Sequence, residues 1–162
     1  MTSSLFTSVT GSFYRAIDPQ HRASALQGSR SAGRYSRPDQ PTLYLSSSPQ
    51  GVQAAMIAHR HNRAAELDVI ELGVEAGGIF DLRDAGARTR AGISLDDAVA
   101  PWQDLVASGS EPPSWGVRRR LEELGAHGLI DPSRKAPGLW HLVLFRWNQP
   151  GAPQVQWPNA SG

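Results

Sequence analysis

The chain has 162 residues, 40% of them hydrophobic, which is enough for one compact domain with its own core. Its formal net charge of +1 excludes a strong overall field that would draw the protein to DNA or to a membrane surface. The sequence contains no cysteine, which excludes disulfides, zinc–thiolate sites and a cysteine nucleophile. The first ten residues do not resemble a signal peptide, and no apolar run is long enough to span a bilayer. We therefore expect a cytoplasmic protein.

The N-terminal part of the chain contains one predicted strand and one long polar segment. Residues 12–17 alternate as a strand that places Phe13, Arg15 and Ile17 on one face. Residues 18–40 are rich in Arg, Ser, Gly and Pro and show no lasting periodicity. A loop of this length inside a compact domain is typically either functional or disordered.

The remaining elements are strands at residues 42–46, 67–74, 79–82, 129–130 and 139–147, and helices from Pro49, within residues 94–108 and at residues 114–124. Pro101 must break or kink the second helix, whereas Ser114 is expected to cap the third and Gly125 to end it. Strands and helices do not alternate as regular βαβ units, so we predict a single α+β domain with a mixed or antiparallel sheet. The expected organisation is an N-terminal extension at residues 1–11, a catalytic domain at residues 12–147 and a loose tail rich in Pro and Gly at residues 148–162.

Several common catalytic and nucleotide-binding motifs are missing from the sequence. There is no G-x-G-x-x-G after a strand and no Gly-Lys-Ser/Thr, so a Rossmann site and a P-loop have no support. There is also no H-E-x-x-H and no G-x-S-x-G, so we expect neither a metal site nor serine hydrolase chemistry. The five histidines are interpreted as surface or structural residues.

Two segments combine arginine with tyrosine. Arg15 follows Tyr14 on the first strand, where a buried guanidinium needs either an anionic ligand or a carboxylate such as Glu71. Arg34 and Tyr35 follow Gly33 and pair a phosphate-binding fork with an aromatic ring, which suits a dinucleotide. A plain glycine turn with a solvated arginine would explain the second segment equally well.

Three further features have simple structural explanations. Tyr44 lies on the strand face opposite its two leucine neighbours, and core packing alone accounts for many such residues. The stretch that contains Asp131, Pro132 and Ser133 has the composition of a turn. The arginines at 118–120 precede two glutamates and predict a salt-bridged, solvent-exposed helix face.

Taken in order, these features resemble the RES domain family over residues 12–147. The family pattern contains a strand with Tyr-Arg, a Gly-Gly-Arg-Trp turn, a Leu-Tyr strand, a helix with a glutamate, and Pro-Ser beyond a late helix. The matching residues are Tyr14–Arg15, Ala32–Gly33–Arg34–Tyr35, Leu43–Tyr44, the helix from Pro49, and Pro132–Ser133. Each motif is short, so the resemblance rests on their order and spacing.

The resemblance implies a split sheet like that of ADP-ribosyltransferase toxins, with NAD⁺ held in its cleft. Its implied activity is cleavage of the nicotinamide–ribose bond and transfer of ADP-ribose to a cellular protein, which arrests growth. Arg34, with Arg15 as a second candidate, would bind the pyrophosphate; Tyr44 or Tyr35 would stack on nicotinamide, and Ser133 would hydrogen-bond the ribose or the amide. Arg34, Ser133 and Tyr44 are the residues expected to act in catalysis.

The implied partner is an Xre-like DNA-binding antitoxin whose C-terminal segment blocks the cleft. A homo-oligomer within that complex is compatible with this scheme. Direct contact with nucleic acid or membrane is not expected.

The sequence departs from the family pattern at the glutamate. The register of the helix from Pro49 puts Ala55 at that position. A natural variant, an introduced substitution and a shifted register all explain this equally well. Three rival functions remain open: an NAD⁺ glycohydrolase or phosphorylase, a catalytically inactive interaction module, and nucleic-acid binding through residues 22–37, the last being disfavoured by the low net charge.

Overall fold

The computed structural model describes residues 5–29, 31–50, 68–132 and 138–157, without the side chain of His21. Almost all of the helix expected from Pro49, together with Ala55 and Ser133, lies outside the described residues. The strands are β1 (Thr7–Ile17), β2 (Leu43–Ser46), β3 (Asp68–Asp81), β4 (Gly128–Pro132), β5 (Trp140–Leu144) and β6 (Gln154–Gln156). The helices are α1 (Ala85–Ala91), α2 (Leu95–Val99), α3 (Gln103–Ala107) and α4 (Pro113–Glu123), with a 3-10 turn at Pro19–Ser24.

Five of the strands close into a barrel. Going round the ring, β1 pairs with β2, β2 with β5, β5 with β4, β4 with β3, and β3 again with β1. The β3–β4 pair is parallel and the others are antiparallel, which confirms the expectation of a mixed sheet in an α+β domain. β3 has 14 residues, and within it Gly78 has a φ of 69°, a left-handed conformation that favours glycine. Beyond that point β3 joins β4 at Ile79.

The alternation of side chains along each strand separates two apolar clusters. The inner face of the barrel carries one cluster, to which all five ring strands contribute: Val9, Phe13, Ile17, Leu43, Leu45, Ile70, Leu72, Val74, Ala76, Ile79, Ile130, Leu142 and Leu144, among others. The outer face carries the other, which packs the strands against α1, α2 and α4: Phe80, Leu82, Ala87, Ala91, Ala98, Val117, Leu121, Leu129, Val143 and Phe145, among others. The predicted faces of β1 are confirmed, since Phe13 and Ile17 are buried in the inner cluster.

Several predicted elements need correction. The strands expected at residues 67–74 and 79–82 form the single strand β3, and α1 was not predicted at all. α1 is defined by local chemistry, because the Asp84 side chain accepts a hydrogen bond from the N–H of Ala87 and Gly92 ends the helix with a φ of 71°. The break at Pro101 is confirmed: α2 ends before it and α3 begins after it.

The C-terminal segment also differs from the expected loose tail. β6 pairs with β3 through Val155, which is buried opposite Val74. The Asn148 side chain donates a hydrogen bond to the carbonyl of Val155 and accepts one from its N–H, at 2.9 and 2.8 Å. Similarly, β1 begins at Thr7, inside the segment expected as an N-terminal extension. No helix in the described part of the chain is long and apolar enough to cross a membrane.

Candidate functional site

A row of polar residues crosses the outer face of the barrel. Tyr14 on β1 lies opposite Ser46 on β2, Ser46 lies opposite His141 on β5, and His141 lies opposite Asp131 on β4. Because directly paired residues point their side chains to the same side of a sheet, these four form one polar row. They replace the apolar side chains that fill most of this surface.

The turn of Gly33, Arg34, Tyr35 and Ser36 lies against this face of the barrel. The backbone N–H of Gly33 bonds the carbonyl of Ser36 at 2.9 Å, and the Tyr44 hydroxyl lies 2.7 Å from that of Ser36. The Tyr44 oxygen also accepts a hydrogen bond from the N–H of Tyr35 at 3.2 Å. A Cβ atom at Gly33 would lie only 2.5 Å from that oxygen, so this position requires glycine for close approach.

Helix α4 holds the same turn from the other side. Trp115 donates its indole N–H to the carbonyl of Gly33 at 2.9 Å, and the Ser114 hydroxyl donates to the carbonyl of Arg34. Arg118 donates from Nη1 to the carbonyl of Tyr35 at 3.2 Å. Three side chains from one helix thus satisfy three successive carbonyls of the turn. The predicted helix cap at Ser114 is wrong, because its side chain binds this turn instead.

Arg118 is not part of a solvent-exposed face. It is 4% exposed, donates to the Thr42 hydroxyl at 2.5 Å and to Glu122 at 3.2 Å, and its guanidinium lies 4.6 Å from the ring centre of Phe145. Arg119 and its neighbour Arg120 are exposed, as expected for that face. The prediction for the arginine run is therefore wrong at its first residue.

The side chains of Arg34 and Tyr35 leave the turn toward α2 and β4. Arg34 donates from Nη1 to the carbonyls of Ala98 and Ala100, at 3.0 and 2.7 Å, where α2 ends. Tyr35 has no exposed surface, and its hydroxyl donates to the carboxylate of Asp131 at 2.8 Å. Burial raises the pKa of Asp131 to about 6, although the hydrogen bond from Tyr35 and the nearby charge of Arg34 act in the opposite direction. Burial, together with Asp131, also raises the pKa of Tyr35 well above its ordinary value.

Arg15 lies on the inner face, between Phe13 and Ile17 along β1. It donates from Nη1 to the backbone carbonyl of Tyr44 at 3.2 Å. Its Nε is buried and has no hydrogen-bond partner among the described residues, and burial lowers the pKa of the guanidinium. The alternative ion pair with Glu71 is wrong, since Glu71 faces the outer side of β3 and accepts a hydrogen bond from the Ser12 hydroxyl at 2.9 Å.

His141 is the ionisable group at the centre of the polar row. Its Nδ1 lies 2.9 Å from the hydroxyl oxygen of Ser46, and burial lowers the pKa of the imidazole. Among the described residues, no group of three His, Cys, Asp or Glu side chains could hold a metal ion.

The structure brings together most of the residues that the sequence indicated. Arg34, Tyr35 and Tyr44 meet at the turn, and Arg15 reaches the Tyr44 carbonyl from the inner face. Ser133 follows the last residue of β4 in sequence but lies outside the described residues. Contact between these side chains and a ligand stays a prediction.

Sequence reasoning missed three residues of the site: Arg118, Asp131 and His141. A signal existed for Arg118, because it lies on the same helical stripe as the buried residues Ser114, Val117 and Leu121. Asp131 was assigned to a turn because of its proline neighbour, and His141 was assigned a structural role. Neither carries a local signal, since their positions depend on strand pairing.

The model of the RES domain family matches residues 12–160. The chain belongs to the RES domain family. Among solved structures it is similar to a chain of the M. tuberculosis MbcT–MbcA toxin–antitoxin complex, with 19% identity, a TM-score of 0.63, and coverage of 93% of this chain and 84% of that one. At this identity the similarity shows the shared fold. No curated protein matches the sequence.

Proposed function

We propose that this RES domain protein is the toxin of a toxin–antitoxin pair, which binds NAD⁺, cleaves its nicotinamide–ribose bond and transfers ADP-ribose to a cellular protein, arresting growth. The observation that carries the proposal is the guanidinium of Arg15, whose Nε is buried and has no hydrogen-bond partner among the described residues. A buried cation without a carboxylate is costly, and an anionic ligand would remove that cost. The pyrophosphate of a dinucleotide is such an anion, and the family match makes NAD⁺ the substrate that we test first.

Arg15 lies where the barrel wall is weakest. Among the described residues, β1 and β2 are joined by one residue pair, Tyr14 and Ser46, and the carbonyl of Tyr44 accepts a hydrogen bond from the side chain of Arg15. We propose that this narrow seam is the cleft of a split sheet of the ADP-ribosyltransferase kind. Such a cleft would let a ligand on the outer face of the barrel reach the guanidinium of Arg15, whose strand position is on the inner face.

Arg34 supplies a second guanidinium that is already oriented. Its Nη1 donates to the carbonyls of Ala98 and Ala100, whereas no hydrogen bond from its Nε or Nη2 is found within the described residues. A fork anchored on one side keeps its other N–H groups in a fixed direction, which favours bidentate contact with phosphate oxygens. We therefore assign Arg34 to the pyrophosphate and Arg15 to the same group.

The two tyrosines receive different roles in this proposal. Tyr35 has no exposed surface, so we assign it to holding Asp131 and the turn. Tyr44 keeps part of its surface accessible and remains the candidate for stacking on nicotinamide. Ser133 remains the candidate for a hydrogen bond to the ribose or the amide.

The chemistry required of the protein is modest. Nicotinamide is a good leaving group, because its departure neutralises the cationic ring nitrogen and leaves an oxocarbenium-like ribose. The protein must orient the dinucleotide and an acceptor. Ala55 supplies no carboxylate to activate water, which favours transfer to a nucleophile on a target protein over hydrolysis.

We further propose an antitoxin that covers the seam between β1 and β2. A protein that consumes NAD⁺ in the cytoplasm needs an inhibitor, and the similar chain belongs to a structure described as a toxin–antitoxin complex. An Xre-like DNA-binding antitoxin is the proposed type, and a homo-oligomer could form within the complex.

The test follows NAD⁺ labelled on its adenylate, incubated with purified protein, with and without bacterial lysate and inorganic phosphate. Label on a discrete lysate protein, together with free nicotinamide, is the expected result. Nicotinamide release without bound label would replace transfer by hydrolysis, or by phosphorolysis if phosphate accelerates it. Neither binding nor release by the wild type and by Ala55→Glu would overturn the proposal.

Arg34→Ala should abolish NAD⁺ turnover in a folded protein. Arg37→Ala is the matched control, because Arg37 lies three residues further along and, in the described part of the chain, its side chain pairs with the exposed Asp39. Equal turnover by the two variants would contradict the role of Arg34.

A further inference from the structure

β5 carries none of the residues that the sequence indicated for the site. It lies between β2, which carries Tyr44, and β4, which ends at Pro132. At the level of the site it presents His141 on the outer face. Its place between the neighbouring strands puts an imidazole in the middle of the residues to which we assign NAD⁺.

The hydrogen bonding of His141 leaves one ring nitrogen available. Nδ1 lies 2.9 Å from the hydroxyl oxygen of Ser46, which is 6% exposed and therefore a fixed partner. If Nδ1 carries the proton and donates to Ser46, Nε2 keeps its lone pair, and it has no hydrogen-bond partner among the described residues. Burial holds the pKa of the imidazole below its ordinary value, so the ring is neutral at pH 7.

The groups that face His141 suit a ring that gains a proton transiently. Asp131 lies opposite it on β4, and its carboxylate is held by the Tyr35 hydroxyl within the field of Arg34. Ser46 lies opposite it on β2, followed by Tyr14 on β1. The carboxylate of Asp131 would stabilise the imidazolium form of His141, whereas the positive charge of Arg34 would disfavour it.

We infer that His141, oriented by Ser46, is the general base that activates the acceptor at this site, in place of the carboxylate that Ala55 does not supply. This inference rests on the proposed function. The oxygen of the acceptor, which is a hydroxyl of the target protein, forms a bond to C1′ of the ribose while the bond from C1′ to nicotinamide breaks. The electron pair of that bond stays on the ring nitrogen and neutralises it, and the acceptor proton passes to Nε2 of His141 and then to solvent.

The deciding experiment compares His141→Gln with wild type in NAD⁺ binding and nicotinamide release over a range of pH. Loss of a general base should lower kcat by about 100-fold or more while the Kd for NAD⁺ changes little. In the wild type, kcat/KM should fall as the pH drops through the pKa of His141, below its ordinary value, and this acid limb should vanish in the variant. His127→Gln is the control. His127 immediately precedes β4, at the end of that strand away from Asp131, and its Nδ1 lies 3.3 Å from the carbonyl oxygen of Gly77.

Two further measurements keep the inference open to failure. Ser46→Ala should lower kcat by about tenfold and shift the acid limb, because the ring loses its orienting partner. In the wild type, ADP-ribose should change the NMR titration of His141. Full kcat with an intact acid limb in His141→Gln would overturn the role of His141 alone, whereas a wild type that neither binds NAD⁺ nor releases nicotinamide would overturn the proposed function itself.

Discussion

Arg15 and Arg118 are both largely removed from solvent, yet their hydrogen bonding differs. Arg118, on the outer side of the barrel, bonds a carbonyl, a hydroxyl and a carboxylate and stacks on Phe145. Arg15, on the inner face, has one bond to a carbonyl and a buried Nε with no partner in the described part of the chain. The same type of side chain thus has several hydrogen-bond acceptors at position 118 and a buried donor without an acceptor among the described residues at position 15.

The difference separates structural from functional use of a charge. A buried cation whose donors are satisfied rigidifies its surroundings, and removing it leaves several acceptors without partners. A buried cation with unused donors costs stability in the free protein, and that cost makes sense when a ligand supplies the missing acceptors. The two arginines should therefore respond oppositely to the same substitution.

The largest effect on stability is expected for Arg118→Met. The substitution keeps an unbranched side chain but removes the donors to the Tyr35 carbonyl and to Thr42, and it should lower the free energy of unfolding by about 3 kcal/mol. Urea unfolding measures this loss. The matched control is Arg119→Met, since Arg119 is exposed and pairs with the exposed Glu111. Its effect should stay below about 0.5 kcal/mol, and equal losses in the two variants would contradict the structural role of Arg118.

Arg15→Met should produce the reverse pattern. NAD⁺ turnover should fall by about 100-fold or more, because the pyrophosphate loses a charged donor, while the free energy of unfolding should rise by about 1 kcal/mol. Thermal shift gives a readout without turnover: NAD⁺ should stabilise the wild type and not the variant. A variant that unfolds more easily and still binds NAD⁺ would show that Arg15 is structural, like Arg118.

Asp131 extends the comparison to a buried acid. Its pKa is raised from 3.8 to about 6 by burial, so the folded protein binds a proton more tightly than the unfolded chain between these values. Stability should therefore fall as the pH rises through this window, by about 2 kcal/mol after allowance for residual solvent screening.

The variant Asp131→Asn tests this cost. An amide oxygen can still accept the bond from Tyr35, so the variant should gain that stability above pH 6 and lose the pH dependence. Unfolding in urea at pH 4 and pH 7.5 measures both. An unchanged slope with pH would mean that another group titrates in this range.

Much of the fold followed from local sequence signals. The alternating pattern of β1 gave its buried face, Pro101 separated α2 from α3, and Gly125 ended α4 with a φ of 91°. Closure of the barrel could not be predicted in this way. It depends on β3 pairing with β1 along one edge and with β4 from Ile79 onward along the other, a property of long-range pairing that no local pattern encodes.

The candidate site was predictable only in part, for a related reason. Arg34 and Tyr35 stand in a local turn motif that can be recognised in the sequence. Asp131 and His141 are ten residues apart in the chain and become neighbours only because β4 and β5 pair in one register. A shift of one residue in this pairing would have placed the two side chains on opposite faces of the sheet. Their function therefore could not be inferred before the register was known.

The smallest predicted effect concerns the turn of residues 33–36, which contacts Arg118 on one side and Tyr44 on the other. In Gly33→Ala the new methyl group would lie 2.5 Å from the Tyr44 hydroxyl oxygen, which is fixed by Ser36. Relief requires either Tyr44 or the turn to shift, at about 1 kcal/mol of stability. Because Arg34 follows directly and Arg15 bonds the Tyr44 carbonyl, the same shift should also weaken NAD⁺ binding by about tenfold. Calorimetric titration with NAD⁺ measures this, and Gly116→Ala is the control, since a Cβ at Gly116 meets no atom within 4 Å among the described residues. Weakened NAD⁺ binding in Gly33→Ala but not in Gly116→Ala would show that the turn couples Arg15 and Arg34. Unchanged binding would show that these two arginines act independently.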